Sequence, residues 1–477
     1  MAQSSTAHEC IVVGAGWTGL ATAAALRSFS VKDFLLLEAG DAPGEFWRRS
    51  TYDRIKLHTA WHGLPCDGGA ALFDYPMFKT GDEVVRYLTS YHDRHHLHAH
   101  SRFGHRVQRV QQVRQGLWRL YVETNDGVKL LECRHLALCV SKLRRPFEPH
   151  LAGRETFLGR CLHSSDFRCG SAFCGKRVVV AGSGNSACEI ALDLASQGGA
   201  AQVTMLIAAP REFVPLCKFG ELMRKAWHKG LAPCLEERVF ADWSLRFGEA
   251  AFEAACAKRS ALMASIAEDT SQLGISTPSV GFGEAQVQEG RISVFDHGAL
   301  PLMRSGRIGV VRSRLQSLTV TGALLADGTH LEADAIVLAT GFEPRYEELV
   351  DAESFLARGQ PGKGVSPECL TPRTDGHDRS SVDASLFFVG ADHAVNGGMA
   401  MGMQGWSCGF RIAQALGHLP NTAVFTLDAL PERQCTVIAT RRRRRMWHIV
   451  ALAAVVAATA WLCGARGLPV SLLLPPS

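Results

Sequence analysis

A chain of 477 residues has room for two or three domains, each with its own hydrophobic core, and 47% apolar with 20% charged residues excludes a disordered or fibrous protein. The formal charge of +5 is unevenly placed: Arg441, Arg442, Arg443, Arg444 and Arg445 form one run, Arg466 follows, and no acid lies beyond residue 440, so residues 1–440 carry about −1. A nearly neutral body excludes an electrostatic case for nucleic-acid binding. The 15 cysteines are dispersed without a C-x2-C pair, and residues 1–10 contain no basic and apolar leader. Both features point to free thiols and an intracellular body.

In chain order, Cys10–Val13 is an apolar run predicted to be a buried strand. It ends in Gly14-Ala-Gly16-Trp-Thr-Gly19, and a helix is predicted over Ala21–Leu26. Phe34–Leu37 is the next buried strand, closed by Glu38. Residues 41–78 are rich in Gly, Pro and aromatics and read as long functional loop. Thr80 and Glu83 match a capping box, after which Val84, Leu88 and Tyr91 recur at helical spacing. Trp118–Glu123 and Val128–Cys133 flank Asn125-Asp126-Gly127, a hairpin signal. A second strand, Arg177–Ala181, ends in Gly182-Ser-Gly184-Asn-Ser-Ala187, with another apolar strand at Val203–Ile207. Residues 212–275 have a largely helical composition, and a second hairpin, 318–325 to 330–333, leads into Ala335–Ala339.

The two Gly-rich turns carry the chemistry. Glycines suit a tight turn, a close backbone approach to a pyrophosphate and close helix-on-strand packing, with the phosphate at the positive helix end. Gly14, Gly16 and Gly19 are candidate dinucleotide contacts, strengthened by Glu38, 19 residues past Gly19, where a carboxylate accepts from both ribose hydroxyls. That carboxylate would repel a 2′-phosphate, so FAD or NAD fits the first turn. Gly182 and Gly184 repeat the arrangement, with Ala187 in the third position; no acid closes the following strand, and Arg211 offers a guanidinium for the 2′-phosphate of NADPH. Two such turns imply transfer of electrons from a nicotinamide to a flavin. A disulfide reductase would place a redox cysteine pair soon after the first turn, whereas Cys169 and Cys174 lie just before the second.

Between the turns stands Phe157-Leu-Gly159-Arg-Cys-Leu-His163-Ser-Ser-Asp-Phe167, the pattern F-x-G-x3-H-x3-F. With it the chain resembles the class B flavin-dependent monooxygenases, and ending in Phe it is similar to the flavin-containing monooxygenase branch. Phe46-Trp47, the segment Arg48–His58, Pro210-Arg211-Glu212 and Ala339-Thr340-Gly341-Phe342 are most similar to the YUCCA-type (indole-3-pyruvate monooxygenase-like) enzymes. The resemblance covers roughly residues 8–415. It departs at Leu138-Cys139-Val140-Ser141-Lys142, which lacks the glycine of the family's ATG-like turn, at Ala208, where an arginine often closes the second dinucleotide strand, and around Asp392.

The resemblance implies FAD and NADPH as cofactors, O2 as co-substrate and a C4a-(hydro)peroxyflavin. That species would oxygenate a small molecule at nitrogen or sulfur, or decarboxylate a 2-oxo acid such as indole-3-pyruvate. It implies Asn185 and His58 as catalytic residues beside flavin and nicotinamide, Trp47, Ser186 and Asp392 as cofactor contacts, and His163 as a structural residue. An NADPH oxidase-like flavoprotein releasing hydrogen peroxide is the alternative; a degenerate dinucleotide-binding redox sensor is a third reading, supported only by the missing glycine at Ser141. His92, His95, His96, His98 and His100 lack the framework of a metal site, and no metal is expected.

The expected fold is α/β with two Rossmann-like dinucleotide-binding domains and a C-terminal membrane-anchor helix. The FAD domain takes residues 1–168 and 318–435, the NADPH domain 169–317, a basic linker 436–445 and the anchor 446–464. The anchor's 19 residues span roughly 28 Å as a helix, with Trp447 and Trp461 near its ends. The arginine run should stay in the cytosol against membrane lipid, which places the body on the cytosolic face, most simply of the endoplasmic reticulum, with the mitochondrial outer membrane as the alternative.

Overall fold

Two parallel sheets, each opening on a glycine turn, organise the chain. A computed structural model describes residues 7–58, 78–228, 257, 260–282, 285, 292–358, 370–375, 378–391 and 398–423. In the first sheet β1 (His8–Val13) lies between β2 (Phe34–Leu37) and β6 (Gly127–Leu138), with parallel register on both sides. The short β3 (Ser101–Arg102) extends it beyond β2. On the other side β6 is long enough to serve twice. Its first half pairs antiparallel with β5 (Leu117–Thr124), which pairs with β4 (Arg106–Arg114); its last three residues pair parallel with Leu386–Phe388. The hairpin turn falls at Asn125-Asp126, as the Asn-Asp-Gly signal requires. The middle strands are buried on both faces, which accounts for their uninterrupted apolar runs.

The helix after the first turn, α1 (Trp17–Ser28), is buried along nearly its whole length. A short helix, α2 (Glu45–Arg49), follows β2, and α3 (Gly81–Arg94) starts at Thr80 with both halves of the capping box formed.

The second sheet has the order 308–311, 202–206, 177–181, 335–338, 160–163, all parallel. Two of its strands, Arg160–His163 and Ala335–Leu338, come from outside the expected 169–317 span. The sheet thus draws one strand from each side of the expected span. The expected single strand over 318–325 is two strands, Leu315–Leu318 and Gly322–Leu325, which continue to His330–Glu332 as a three-stranded meander. The break is a turn in which Thr319 N–H donates to the Gly322 carbonyl, with Val320 exposed at its tip.

Among the described residues no helix is long and apolar enough to cross a membrane. The stretch expected to do so, 446–464, and the linker 436–445 lie outside the described residues, as does Asp392.

Candidate functional site

The two glycine turns are built alike. Gly14 has φ +103°, and a Cβ there would stand 2.8 Å from the Cys139 carbonyl oxygen just past β6. Gly182 has φ +147°, and its Cβ would stand 2.4 Å from the Ala339 carbonyl oxygen just past the 335–338 strand. In each lobe the first glycine is thus held by the neighbouring strand's end, and no other residue fits. The middle glycines differ in kind: a Cβ at Gly16 or Gly184 would meet nothing within 4 Å. At Gly19 a Cβ would fall on the Gly14 carbonyl, so this glycine lets α1 close onto the strand, whereas Ala187 is buried in the second lobe.

Gly16 caps α1 and Gly184 caps α4 (Asn185–Ala195), and neither helix has a side-chain cap or an acid in its first turn. By contrast α3 is capped twice over. Uncapped N-termini above open space leave N–H donors and the positive helix end facing outward, which is the cradle a pyrophosphate needs. The residues present therefore fit a dinucleotide at each turn.

Glu38 is part-buried at the end of β2. Its carboxylate accepts from Ala15 N at 2.7 Å and Gly40 N at 2.9 Å, which ties it to the first turn. Arg211 lies across the second turn, its Nε donating to the Ser183 carbonyl at 3.2 Å. Trp47 is half-buried on α2, edge-on to Phe46, which in turn meets Phe342 edge-on. Ser186 is half-buried in the first turn of α4.

Asn185 both donates and accepts, but to the backbone of a neighbouring strand. Its Nδ2 donates to the Ser293 carbonyl at 3.3 Å and its Oδ1 accepts from Phe295 N at 2.7 Å. It thereby fixes strand Val294–Asp296 beside the second turn.

The signature segment has a physical account at each defined position. Phe157 packs in the core under the 315–332 meander, and a Cβ at Gly159 would strike both the Phe157 ring and the Asp334 carbonyl. The fully buried His163 accepts from Ser165 N at Nδ1 (3.1 Å) and donates from Nε2 to the Gly341 carbonyl at 2.9 Å. Burial pushes its pKa down, so it is a neutral tie between the motif and the Ala339–Phe342 turn. Phe167 packs against Phe173 and Tyr52.

Ser141, in the stretch that lacks the glycine, does not have a positive φ, and its hydroxyl accepts from Leu143 N. The backbone at Ser141 needs no glycine. Cys169 and Cys174 flank a 3₁₀ turn and are not joined in a disulfide. Of the histidine run, His92 bonds Ser101, His100 stacks on Phe34, and His92, Asp93 and His98 gather three donors.

The structure also assembles a cluster that sequence reasoning missed. His58 lies 2.6 Å from a carboxylate oxygen of Glu189 on α4, the hydroxyl of Tyr52 donates to the other oxygen at 2.5 Å, and His297 approaches the first at 3.2 Å. Burial alone would push the Glu189 carboxyl up; the imidazoles of His58 and His297 outweigh it and hold the group at about 2. Burial and the adjacent carboxylate raise the Tyr52 hydroxyl. Arg54 adds a second tie from the same segment to α4, through Asp193 and Ser196.

The sequence profile described as "Pyridine nucleotide-disulphide oxidoreductase" matches residues 11–213. The chain is 31% identical over 360 residues to "Probable indole-3-pyruvate monooxygenase YUCCA1" of Arabidopsis thaliana, covering 73% of this chain and 79% of the relative. It is 31% identical, again over 360 residues, to "Indole-3-pyruvate monooxygenase YUCCA1" of Oryza sativa subsp. japonica, with 73% and 80% covered. Among solved structures, a cyclohexanone monooxygenase in an open form superposes with a TM-score of 0.59 at 19% identity, over 87% of this chain and 88% of that one. A flavin monooxygenase from Stenotrophomonas maltophilia gives 0.59 at 18%, over 86% and 100%.

Proposed function

The chain belongs to the class B flavin-dependent monooxygenases of the YUCCA type, and from that premise we propose that it uses FAD and NADPH to decarboxylate a 2-oxo acid of the indole-3-pyruvate class. The observation that carries the reading is the glycine turn built twice, each with one glycine locked against a strand end and one facing open space above an uncapped helix. FAD, reduced by NADPH, supplies the activation of O2.

The protein's part is binding, orientation and control of protons. Gly14 and Gly19 shape the first turn, Gly16 would face the FAD pyrophosphate, and Glu38 has lone pairs left for the ribose after its two backbone bonds. Gly182 shapes the second turn, Gly184 and Ser186 would face NADPH, and Arg211, whose Nε donates to the Ser183 carbonyl, would offer its guanidinium to the 2′-phosphate. Asn185 keeps the 294–296 strand in place beside the second turn, Trp47 and Phe46 stand on α2, whose cap Gly44 N–H donates to the Ala15 carbonyl of the first turn, and His58 reaches Glu189 on α4.

The names of the relatives support the substrate class. The balance is one 2-oxo acid anion, one O2, one NADPH and one proton giving the one-carbon-shorter acid anion, CO2, NADP+ and water. Purified holoenzyme should form indole-3-acetate from indole-3-pyruvate in step with NADPH loss. Turnover of an amine or sulfide panel with indole-3-pyruvate untouched would reject the substrate class, and hydrogen peroxide equal to NADPH under every substrate would show an oxidase instead. Residues 446–464 are proposed as the anchor to the endoplasmic reticulum, on their apolar length and the preceding arginines; release of the full chain from membranes by alkaline carbonate would reject this.

A further inference from the structure

Binding two dinucleotides does not account for Glu189. It lies one helical turn beyond Asn185, with only 4% of its side chain exposed. An ionised carboxylate is costly to bury unless its lone pairs are taken, and here three groups from two separate segments converge on it. Tyr52 donates to one oxygen, while the Nε2 atoms of His58 and His297 lie 2.6 and 3.2 Å from the other. The two imidazole rings meet edge-on, their centroids 5.7 Å apart, and Phe295 stacks on His58 at 5.9 Å. Arg54, the arginine of the Tyr52–His58 segment, is engaged with Asp193 and Ser196.

Two imidazoles and a carboxylate are also a familiar set of metal ligands. The His58 distance favours a proton between ring and carboxylate. Ligands at 2.0–2.2 Å from a tetrahedral ion stand about 3.3 Å apart, whereas His58 Nε2 and Glu189 Oε1 are 2.6 Å apart, the length of a charge-assisted hydrogen bond.

An ionised carboxylate only accepts hydrogen bonds, so an imidazole nitrogen this close to it carries the proton. We propose that Glu189 is a positioning residue that fixes His58 with its proton on Nε2, leaving Nδ1 of His58 as the atom that exchanges protons with the active site. Tyr52 completes the device by holding the second carboxylate oxygen, so that the anion cannot swing away from the rings. The tautomer follows from the cluster alone; its role in turnover rests on the monooxygenase reading above.

The test uses full-length holoenzyme labelled with 15N-histidine, at a pH high enough that both rings are neutral, with signals assigned from His58→Gln and His297→Gln spectra. The wild type should show protonated Nε2 and bare Nδ1 on His58. Glu189→Asp should retain that form, and Glu189→Gln, which offers donor as well as acceptor, should give mixed tautomers. In turnover Glu189→Gln should lower kcat on the order of 10²-fold, the scale of one positioned proton-transfer group. Its KM for NADPH and its FAD content should stay within about twofold of wild type, and Glu189→Asp should recover part of the loss.

Protonated Nδ1 of His58 in the wild type, unchanged tautomers in Glu189→Gln, or one tightly bound metal ion per holoenzyme would overturn the proposal. So would a fall in kcat matched by loss of FAD. The wild-type spectrum needs no variant to fold and no substrate; expected tautomers without product would fault the monooxygenase reading and leave the proton assignment standing.

Discussion

Gly182 and Gly184 stand two residues apart, yet the same added methyl group should damage different properties of the protein. In Gly182→Ala the new Cβ would lie 2.4 Å from the Ala339 carbonyl oxygen and 3.0 Å from its carbon. Those atoms continue a central strand of the second sheet and cannot withdraw without it. Overpacking of this kind costs roughly 1–3 kcal/mol, and an L-residue in the left-handed region adds about 1–2 kcal/mol, for a total near 3 kcal/mol. If the second lobe melts as a unit of 150–250 residues, Tm falls by roughly 6–12 °C. In Gly184→Ala the Cβ meets nothing within 4 Å, and φ −85° suits any residue. The stability cost is at most the loss of a glycine cap, about 1 kcal/mol or less. The methyl nevertheless enters the space assigned to the NADPH pyrophosphate, so affinity should fall tenfold or more, about 1.4 kcal/mol. The assay is thermal melting of the FAD-loaded variants, paired with NADPH titration of flavin reduction. Wild-type NADPH affinity in Gly184→Ala, or wild-type stability in Gly182→Ala, would refute the division of labour between the two glycines.

Arg211→Ala should weaken NADPH by about tenfold or more while leaving NADH nearly unchanged, because one guanidinium–phosphate contact is lost; equal effects in nucleotide titrations would remove Arg211 from the 2′-phosphate site. Glu38→Ala strips acceptors from Ala15 N and Gly40 N as well as from the ribose. It should therefore lower FAD occupancy of the purified protein and destabilise it by about 1–3 kcal/mol, and full flavin content would contradict this. The Glu189 carboxyl is depressed on folding, so its contribution to stability is complete above an unfolded pKa near 4.5 and is lost as pH falls toward about 2. Denaturant unfolding from pH 5 downward should show wild type losing up to about 3 kcal/mol more than Glu189→Gln; parallel losses would mean the carboxylate is not held by its imidazoles.

The features legible in the sequence are those fixed by neighbours along the chain. The capping box at Thr80, the Asn125-Asp126 hairpin turn and the two strand–glycine–helix units each depend on a few consecutive residues, and each stands where its pattern places it. The 318–325 run misleads because Thr319-Val-Thr has strong strand propensity, yet the meander requires a turn there. The second sheet's borrowing of Arg160–His163 and Ala335–Leu338 is a long-range pairing with no local signal. The same holds for the cluster around Glu189. Tyr52 and His58 stand in a conspicuous segment, but their partners lie 137 and 131 residues away, and His297 has no local mark. One hint was present: Asn185 and Glu189, four apart on a helix, must share a face.

The most direct measurement of the central claim is the fate of 18O2 during turnover of indole-3-pyruvate by the NADPH-reduced holoenzyme. The account predicts one 18O atom in the carboxylate of indole-3-acetate and one in water, with one CO2 released and one NADPH oxidised per product. Indole-3-acetate without 18O, or consumption of NADPH that ends in labelled hydrogen peroxide and no organic product, would contradict it.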